Sequence, residues 1–404
     1  MLIEVNSRQL ENKFLDLPRK LYKNDPYWVC IQDDNLRKIF NPVTNRNFDD
    51  GEAIRWILTD ETGQVIGRIA AFYNMKKASA EKVLSGGAGF FECINDQKSA
   101  NLLFDSARKW LAKRGMKAFD APVNFGQNDT NWGLLVEGFT HPGLGMPYHH
   151  PYYKQLFLNY GFQIYFKQYS FHLDLTKKFP ERFWKIAEWV GKKPDFHFKH
   201  FTWKESEKFI KDIKYIYDKA WSVLKEDFTP LDANLLRTSM KEAKAVIDEE
   251  IIWFAYHKNE PISFFIMFPD ANQILKKFHG QMNALNMMRF LYYKRNNAIT
   301  RIRAVAAGVI PKFQNSGVES GIFWHLNEKM KNKPQYTEME LSWVGDYNPK
   351  MISLYEAVGA EKAKMHYTMR YMIDTSIPFE RFMPDKVNPD KISEIGDTVD
   401  SSLL

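Results

Sequence analysis

The segment Ala304-Val-Ala-Ala-Gly-Val309-Ile310-Pro311-Lys-Phe-Gln314-Asn315-Ser316-Gly317-Val318-Glu319-Ser320-Gly321 has the residue types of an anion site. An apolar strand is expected to end at Pro311, a polar turn follows, and a helix begins near 318. Backbone N–H groups at such a helix start lack internal partners and lie at the positive end of the dipole, which suits a pyrophosphate. Gly317 lets the backbone approach without a Cβ in the way. The same pattern also serves an ordinary strand-to-helix turn. Other chemistry-bearing pairs are weaker. His149-His150 and His197-x-x-His200 have no evident third ligand, so no metal is expected. The stretch 124–150, rich in Gly, Asn, Pro and aromatics, is long for a loop and suits an acceptor pocket.

The run Val309-Ile-Pro-Lys-Phe-Gln314-Asn-Ser-Gly317-Val318 resembles the acyl-CoA signature of the GNAT acetyltransferase superfamily, Arg/Gln-x-x-Gly-x-Gly/Ala after a strand. Downstream, Asn348-Pro-Lys-Met-Ile-Ser-Leu354-Tyr355-Glu-Ala-Val-Gly359 is similar to that superfamily's second motif, an Asn followed by Leu-Tyr and a Gly. The resemblance implies that main-chain amides around Gln314, Asn315, Ser316, Gly317, Val318, Ser320 and Gly321 hold the CoA pyrophosphate. It implies that the strand end at Val309–Ile310 pairs with the pantetheine and acyl carbonyl, and that Asn348 touches the cofactor arm. Tyr355 would lie near the sulfur and protonate the departing thiolate, a role within reach of a phenol; a Tyr packing a helix on the sheet is the alternative. One departure stands out: Glu319 occupies the position of the second Gly or Ala, and a carboxylate there repels an anion unless it swings away. Gly321 could shift the close approach by two residues.

An acceptor amine must lose a proton. Glu338 and Glu340 share one face of a strand at 336–344, because strand side chains alternate. Glu340 is taken as the catalytic base, with Glu338, Asp346 or a water chain as alternatives and a salt-bridged face as the plainer reading.

These residues need a scaffold, and the chain supplies it twice. Extended runs Ile54–Thr59 and Val65–Phe72 are joined by a turn, and so are Ile251–Tyr256 and Ile262–Phe268. Pro151, Leu156, Phe157 and Gly161 match Pro349, Leu354, Tyr355 and Gly359 at a constant offset of 198. Strands alternate with helices in both halves. The expected architecture is α/β with mixed topology: two tandem GNAT-like domains, each a twisted mixed sheet flanked by helices. Residues 1–175 form the N-terminal domain with a degenerate cofactor motif, 176–375 the C-terminal domain with the acyl-CoA motif, and 376–404 a loosely held tail. The first copy has Phe157 where the second has Tyr355, and acidic residues in place of the phosphate glycine, so a structural or acceptor-binding role is expected of it.

The 404 residues carry 56 Lys+Arg and 49 Asp+Glu, a net charge of +7, with 45% hydrophobic and 15% aromatic residues. This excludes a disordered chain. Two cysteines exclude a disulfide framework, and no run is long enough for a membrane span. With no signal peptide at the start, a cytoplasmic protein is expected. From Ala271 to Val318 there is no acid, while Lys276, Lys277, Arg289, Lys294, Arg295, Arg301, Arg303 and Lys312 supply +8, leaving −1 for the rest. That local basic segment suits a phosphate-rich cofactor or an acyl-carrier protein more than a nucleic-acid surface. The resemblance therefore implies an acyl-CoA-dependent N-acyltransferase, in the first instance an acetyltransferase using acetyl-CoA or another acyl-CoA, with a small-molecule or peptide amine as acceptor. A transferase using an aminoacyl-tRNA or acyl-carrier donor, and a non-catalytic binding protein with a closed phosphate site, stay open.

Overall fold

A computed structural model describes residues 1–126, 130–222, 230–314 and 316–383. Asn315 and the tail beyond 383 lie outside the described residues, together with the expectations placed on them.

The first half runs β1 (Leu2–Glu4), α1 (Arg8–Leu21), α2 (Asp33–Ile39), β2 (Gly51–Thr59), β3 (Val65–Asn74), α3 (Met75–Ser79), β4 (Ser85–Cys93), α4 (Gln97–Ala112), β5 (Ala118–Ala121), β6 (Leu134–Glu137), α5 (Tyr153–Tyr160) and β7 (Gln163–Asp174). The second runs α6 (Glu181–Gly191), β8 (Phe196–His200), α7 (Ser206–Ser222), α8 (Ala233–Glu242), β9 (Trp253–His257), β10 (Glu260–Pro269), α9 (Asn272–Leu275), α10 (Ala284–Arg295), β11 (Arg301–Val309), α11 (Val318–Met330), β12 (Glu338–Gly345), α12 (Pro349–Ala357) and β13 (Glu361–Met372). Local chemistry sets many of these limits. Ser7 caps α1 by accepting from the Leu10 amide, Asp96 caps α4 through Ser99, and Asn348 with Pro349 opens α12.

All strands join one mixed sheet in the order β1-β2-β3-β4-β5-β13-β7-β12-β11-β10-β9-β8, with β6 also pairing to β13. The two halves exchange their last strands at its centre. β13, from the second copy, pairs with β5 of the first, and β7, from the first, pairs with β12 of the second. β7 and β13 pair antiparallel with each other, Glu361 opposite His172 and Arg370 opposite Gln163. Each strand's start therefore meets the other's end, the relation of a local twofold.

The cores obey the exchange. Tyr367 and Met369 of β13 are buried with Phe104, Phe119 and Phe157 of the first half. Phe171 and Leu173 of β7 are buried with Ile302, Met339 and Leu341 of the second. Each packed unit thus borrows its closing strand from the other half of the chain. Hydrogen bonding between neighbouring strands and buried apolar faces hold the exchange together.

Candidate active site

β11 and β12 run parallel, but their pairing covers only Arg301–Arg303 against Glu338–Glu340. Beyond it the strands diverge, leaving the β12-facing edge of β11 without a strand partner among the described residues. β11 also carries an irregularity where Ala306 opposes Ile266 but Ala304 opposes Met267, so Val305 is the extra residue, and it is exposed. A second irregularity on β12 lies between Leu341 and Val344. The Tyr355 phenol is buried beside β12 just past its paired part, with its oxygen 3.4 Å from Ser342 Oγ, while its ring packs edge-on against Phe171. Burial pushes its pKa up, so the phenol stays protonated at neutral pH.

At the end of β11 the chain makes a tight 3₁₀ turn at Pro311–Phe313 and enters α11 through Gly317, whose φ of 75° is the left-handed region. A Cβ there would still have room, its nearest neighbour being Val190 Cγ2 at 3.4 Å, so conformation rather than space requires the glycine. Val309 O lies 3.4 Å from Gln314 Nε2, Ser316 Oγ donates to Phe313 O, and the Val318 amide reaches Ser316 Oγ at 3.4 Å. Ile310 is buried and bonded to Ile262 O. Asn348 caps α12 by accepting from the Met351 amide at 3.2 Å.

Two expectations are corrected at this turn. The amides of Ser320 and Gly321 are committed to the Gly317 carbonyl, at 2.9 and 3.3 Å, and those of Gln314 and Ser316 to Pro311 O and Phe313 O, at 3.2 and 3.1 Å, so none of the four is free for an anion. Gly321 is small because a Cβ would lie 2.5 Å from the Phe198 ring, a helix-packing demand. Glu319 does not swing out to solvent. It is half-buried at the helix start, and desolvation raises its pKa despite a bond to its own amide.

The paired end of β11 and β12 holds a buried ionic cluster. Glu340 is almost fully buried; one oxygen meets Lys364 Nζ at 3.0 Å and the other Arg301 Nη1 at 3.2 Å. Arg301 also contacts Glu338 (3.3 Å) and Asp270 (3.6 Å), and Glu338 meets His172 at 2.9 Å. The expected base thus has both oxygens engaged by cations. Asp346 lies elsewhere, accepting from the Lys167 amide and pairing with Arg381.

The part of the 124–150 stretch around 141–144 docks on this cluster. Arg301 donates to His141 O, Arg303 Nε to Leu144 O at 2.6 Å, and the Leu144 amide to Asp270 at 3.0 Å. Gly143 is required here, since a Cβ would sit 2.9 Å from Arg303 Cδ. Burial raises the Asp270 pKa to about 6, partly offset by Arg301. The residue sequence reasoning missed is His141. Both its ring nitrogens are buried without hydrogen-bond partners among the described residues, and burial, then Arg301, lowers its pKa to about 4. Only its place in that long loop hinted at it. The other histidines are engaged in the scaffold: His149 accepts from the Leu135 amide and His150 stacks on Tyr22. Among the described residues no group of three or more His, Cys, Asp or Glu is arranged to hold a metal.

Beside β11, Tyr217 and Trp221 of α7 stack on each other, and Trp221 lies parallel to Phe264. Gly308 faces Trp221, where a Cβ would come within 2.9 Å. This aromatic wall flanks the strand end.

No model of a known protein family matches the chain. Among curated proteins it is similar to the bacterial ceramide synthase of Caulobacter vibrioides, 26% identical over 359 residues, covering 88% of this chain and 92% of that one. It is also similar to protein YghO of Escherichia coli, 24% identical over 364 residues, covering 87% and 90%. Among solved structures, a tandem GNAT protein from the clavulanic acid biosynthesis pathway superposes with a TM-score of 0.54 at 9% identity, over 94% of this chain and 99% of that one. A glucosamine N-acetyltransferase region in a fungal multi-domain β-N-acetylglucosaminidase gives a TM-score of 0.55 at 11% identity, over 92% of this chain but 38% of that larger one.

Proposed function

We propose that this chain, a protein with the tandem GNAT fold, is an N-acyltransferase with one working site, in its second half, fed by an acyl-CoA. The observation that carries the reading is the opening between β11 and β12 beyond Arg303 and Glu340, flanked by the Gly317 turn and by the Tyr355 phenol. An unpaired strand edge can take up the amides of a pantetheine arm as a further strand would. The Gly317 amide then faces the diphosphate, the Val318 amide and the Gln314 and Ser316 side chains join it by exchanging their bonds inside the turn for the ligand, and Asn348 lies toward the arm. The amine attacks the thioester carbonyl, whose oxygen the β11 edge near Val309–Ile310 polarises. The carbon–sulfur bond breaks, and Tyr355 gives its proton to the thiolate sulfur.

The amine's proton needs an acceptor. Glu340, bound by Lys364 and Arg301, is better suited to holding those cations in place than to taking a proton. His141 is neutral at physiological pH and has no hydrogen-bond partner among the described residues; burial and Arg301 make it a weak base, so we assign it a relay that takes the amine's proton and passes it on rather than holding it.

Ceramide is the N-acyl amide of a long-chain amino alcohol. The similarity to a ceramide synthase across 88% of the chain supports an acceptor of that kind and an acyl chain longer than acetyl. The Tyr217–Trp221 wall beside the strand end supports the longer chain. Incubating the full chain with palmitoyl-CoA and a long-chain 2-amino-1,3-diol, and weighing the product, tests this. An amide product supports it, and its absence with acetyl-, octanoyl- and palmitoyl-CoA alike overturns it.

Glu319 favours a second reading in which the donor is an acyl-carrier protein. Its carboxyl takes the place of the second glycine at the diphosphate turn, and a carrier's phosphopantetheine has no diphosphate to place there. Turnover with acyl-carrier protein but not acyl-CoA would select this reading.

A further inference from the structure

We propose that α10 and the turn before it form a docking surface for an anionic lipid bilayer. The helix spans Ala284–Arg295, and its one buried residue is Phe290. Phe290 anchors it in a small core with Ile274, Leu275, Phe278 and Ile299. At about 100° per residue, Leu285, Met288, Leu291 and Tyr292 lie away from it, Leu291 at the flank and the other three on the opposite side. They are 59, 62, 48 and 66% exposed, with Met287 beside them. No other element of the described residues shows such a run of large apolar side chains to solvent. A helix with an anchored face and a second, exposed apolar face needs an occupant for the latter.

Charge identifies the occupant. Arg289 and Arg295 are exposed on α10, and Lys276 and Lys277 on the turn before it, inside the stretch 271–318 that has no acid. Where the turn at His279–Gly280 touches α1 and α2, the acids Asp16 and Asp33 are taken by Arg19. Exposed apolar side chains accompanied by cations that have no acidic partner among the described residues match the acyl–headgroup boundary of an anionic membrane. There the apolar groups enter the boundary and each cation gains from lipid phosphates. An acidic protein partner would use the charge but leave five large apolar groups to a polar surface. The small core under α10 also includes Leu144, from the loop that docks on the Arg301 cluster, so the surface adjoins the candidate site.

The test uses the full chain and sedimentation with vesicles of phosphatidylcholine, alone or with phosphatidylglycerol, without substrates. It therefore stands or falls separately from acyl transfer. Binding is expected with phosphatidylglycerol, about tenfold or more above neutral vesicles, and reversed by salt. Leu285→Ser/Met288→Ser/Leu291→Ser should lower it about tenfold or more with an unchanged thermal melt. Lys276→Glu/Arg289→Glu should abolish the preference for anionic vesicles. Equal binding by wild type and both variants overturns the proposal. So does no binding to any vesicle, a dimer dissociated by the serine variant, or retention of an acyl-carrier protein in place of vesicles.

Discussion

The two halves share one fold and differ at the place where a donor would enter. In the second, β11 and β12 separate beyond three paired residues, and the opening is bordered by a left-handed glycine and a phenol. In the first, β4 and β5 also pair only over Ser85–Gly87 and Ala118–Asp120, but the chain closes the gap itself. The Val123 amide donates to Ala88 O, and Gly89 is glycine because the Val123 carbonyl oxygen would lie 2.0 Å from a Cβ. The Asp96 carboxylate sits at the α4 start, bonded to the Ser99 amide, where a phosphate would go. Phe157 is fully buried in place of Tyr355, and Glu92 is enclosed by Tyr22, Tyr153 and Arg68. A repeated fold keeps its strands while the site is lost by filling the splay, capping the helix and removing one hydroxyl. The first half lends β7 and the loop segment around His141 to the second.

The contrast can be broken most severely at the hydroxyl. Tyr355→Phe should lower kcat by about 10²–10⁴ with little change in donor affinity, while Phe157→Tyr should leave kcat unchanged; steady-state kinetics of both variants check this. Unchanged turnover in Tyr355→Phe removes the acid role. His141→Ala should lower kcat by about 10². The wild-type kcat should hold on the acid side until pH approaches about 4, where the buried imidazole takes a proton. An acid limb near 6.5 that survives His141→Ala would assign the base elsewhere.

Glu319→Ala should tighten CoA binding about tenfold by removing a charge from the diphosphate turn. The wild-type carboxyl has a raised pKa, so it takes up its proton at a higher pH than an exposed glutamate, and CoA affinity should rise as pH falls through that value. The variant should lose this dependence, and calorimetry at several pH values reads both. The smallest effect belongs to the first half: Asp96→Ala should cost about 1 kcal/mol of stability as a lost helix cap, read by thermal unfolding, with kcat unchanged.

Sequence carried the repeat, the two hairpins, the strand–turn–helix at Gly317 and the Phe157/Tyr355 difference, because each rests on short-range spacing. The strand exchange was not legible. β7 and β13 have the same pattern by descent from one repeat, so nothing local tells which partner each will take. The helix α10 was missed because apolar residues lie on two opposite sides of it, which erases the helical period. The fate of Glu340 was hidden for another reason. Its partners Lys364 and Arg301 are distant in sequence, and only the register of β12 against β11, with β13 nearby, brings them together.

The central claim is that one half of this repeat works and the other is filled. Calorimetric titration of the full chain with palmitoyl-CoA measures it directly. The account predicts a single site per chain, weakened about tenfold by Gly317→Val, whose branched side chain resists a positive φ. Two sites per chain, or no binding at millimolar ligand, would contradict it.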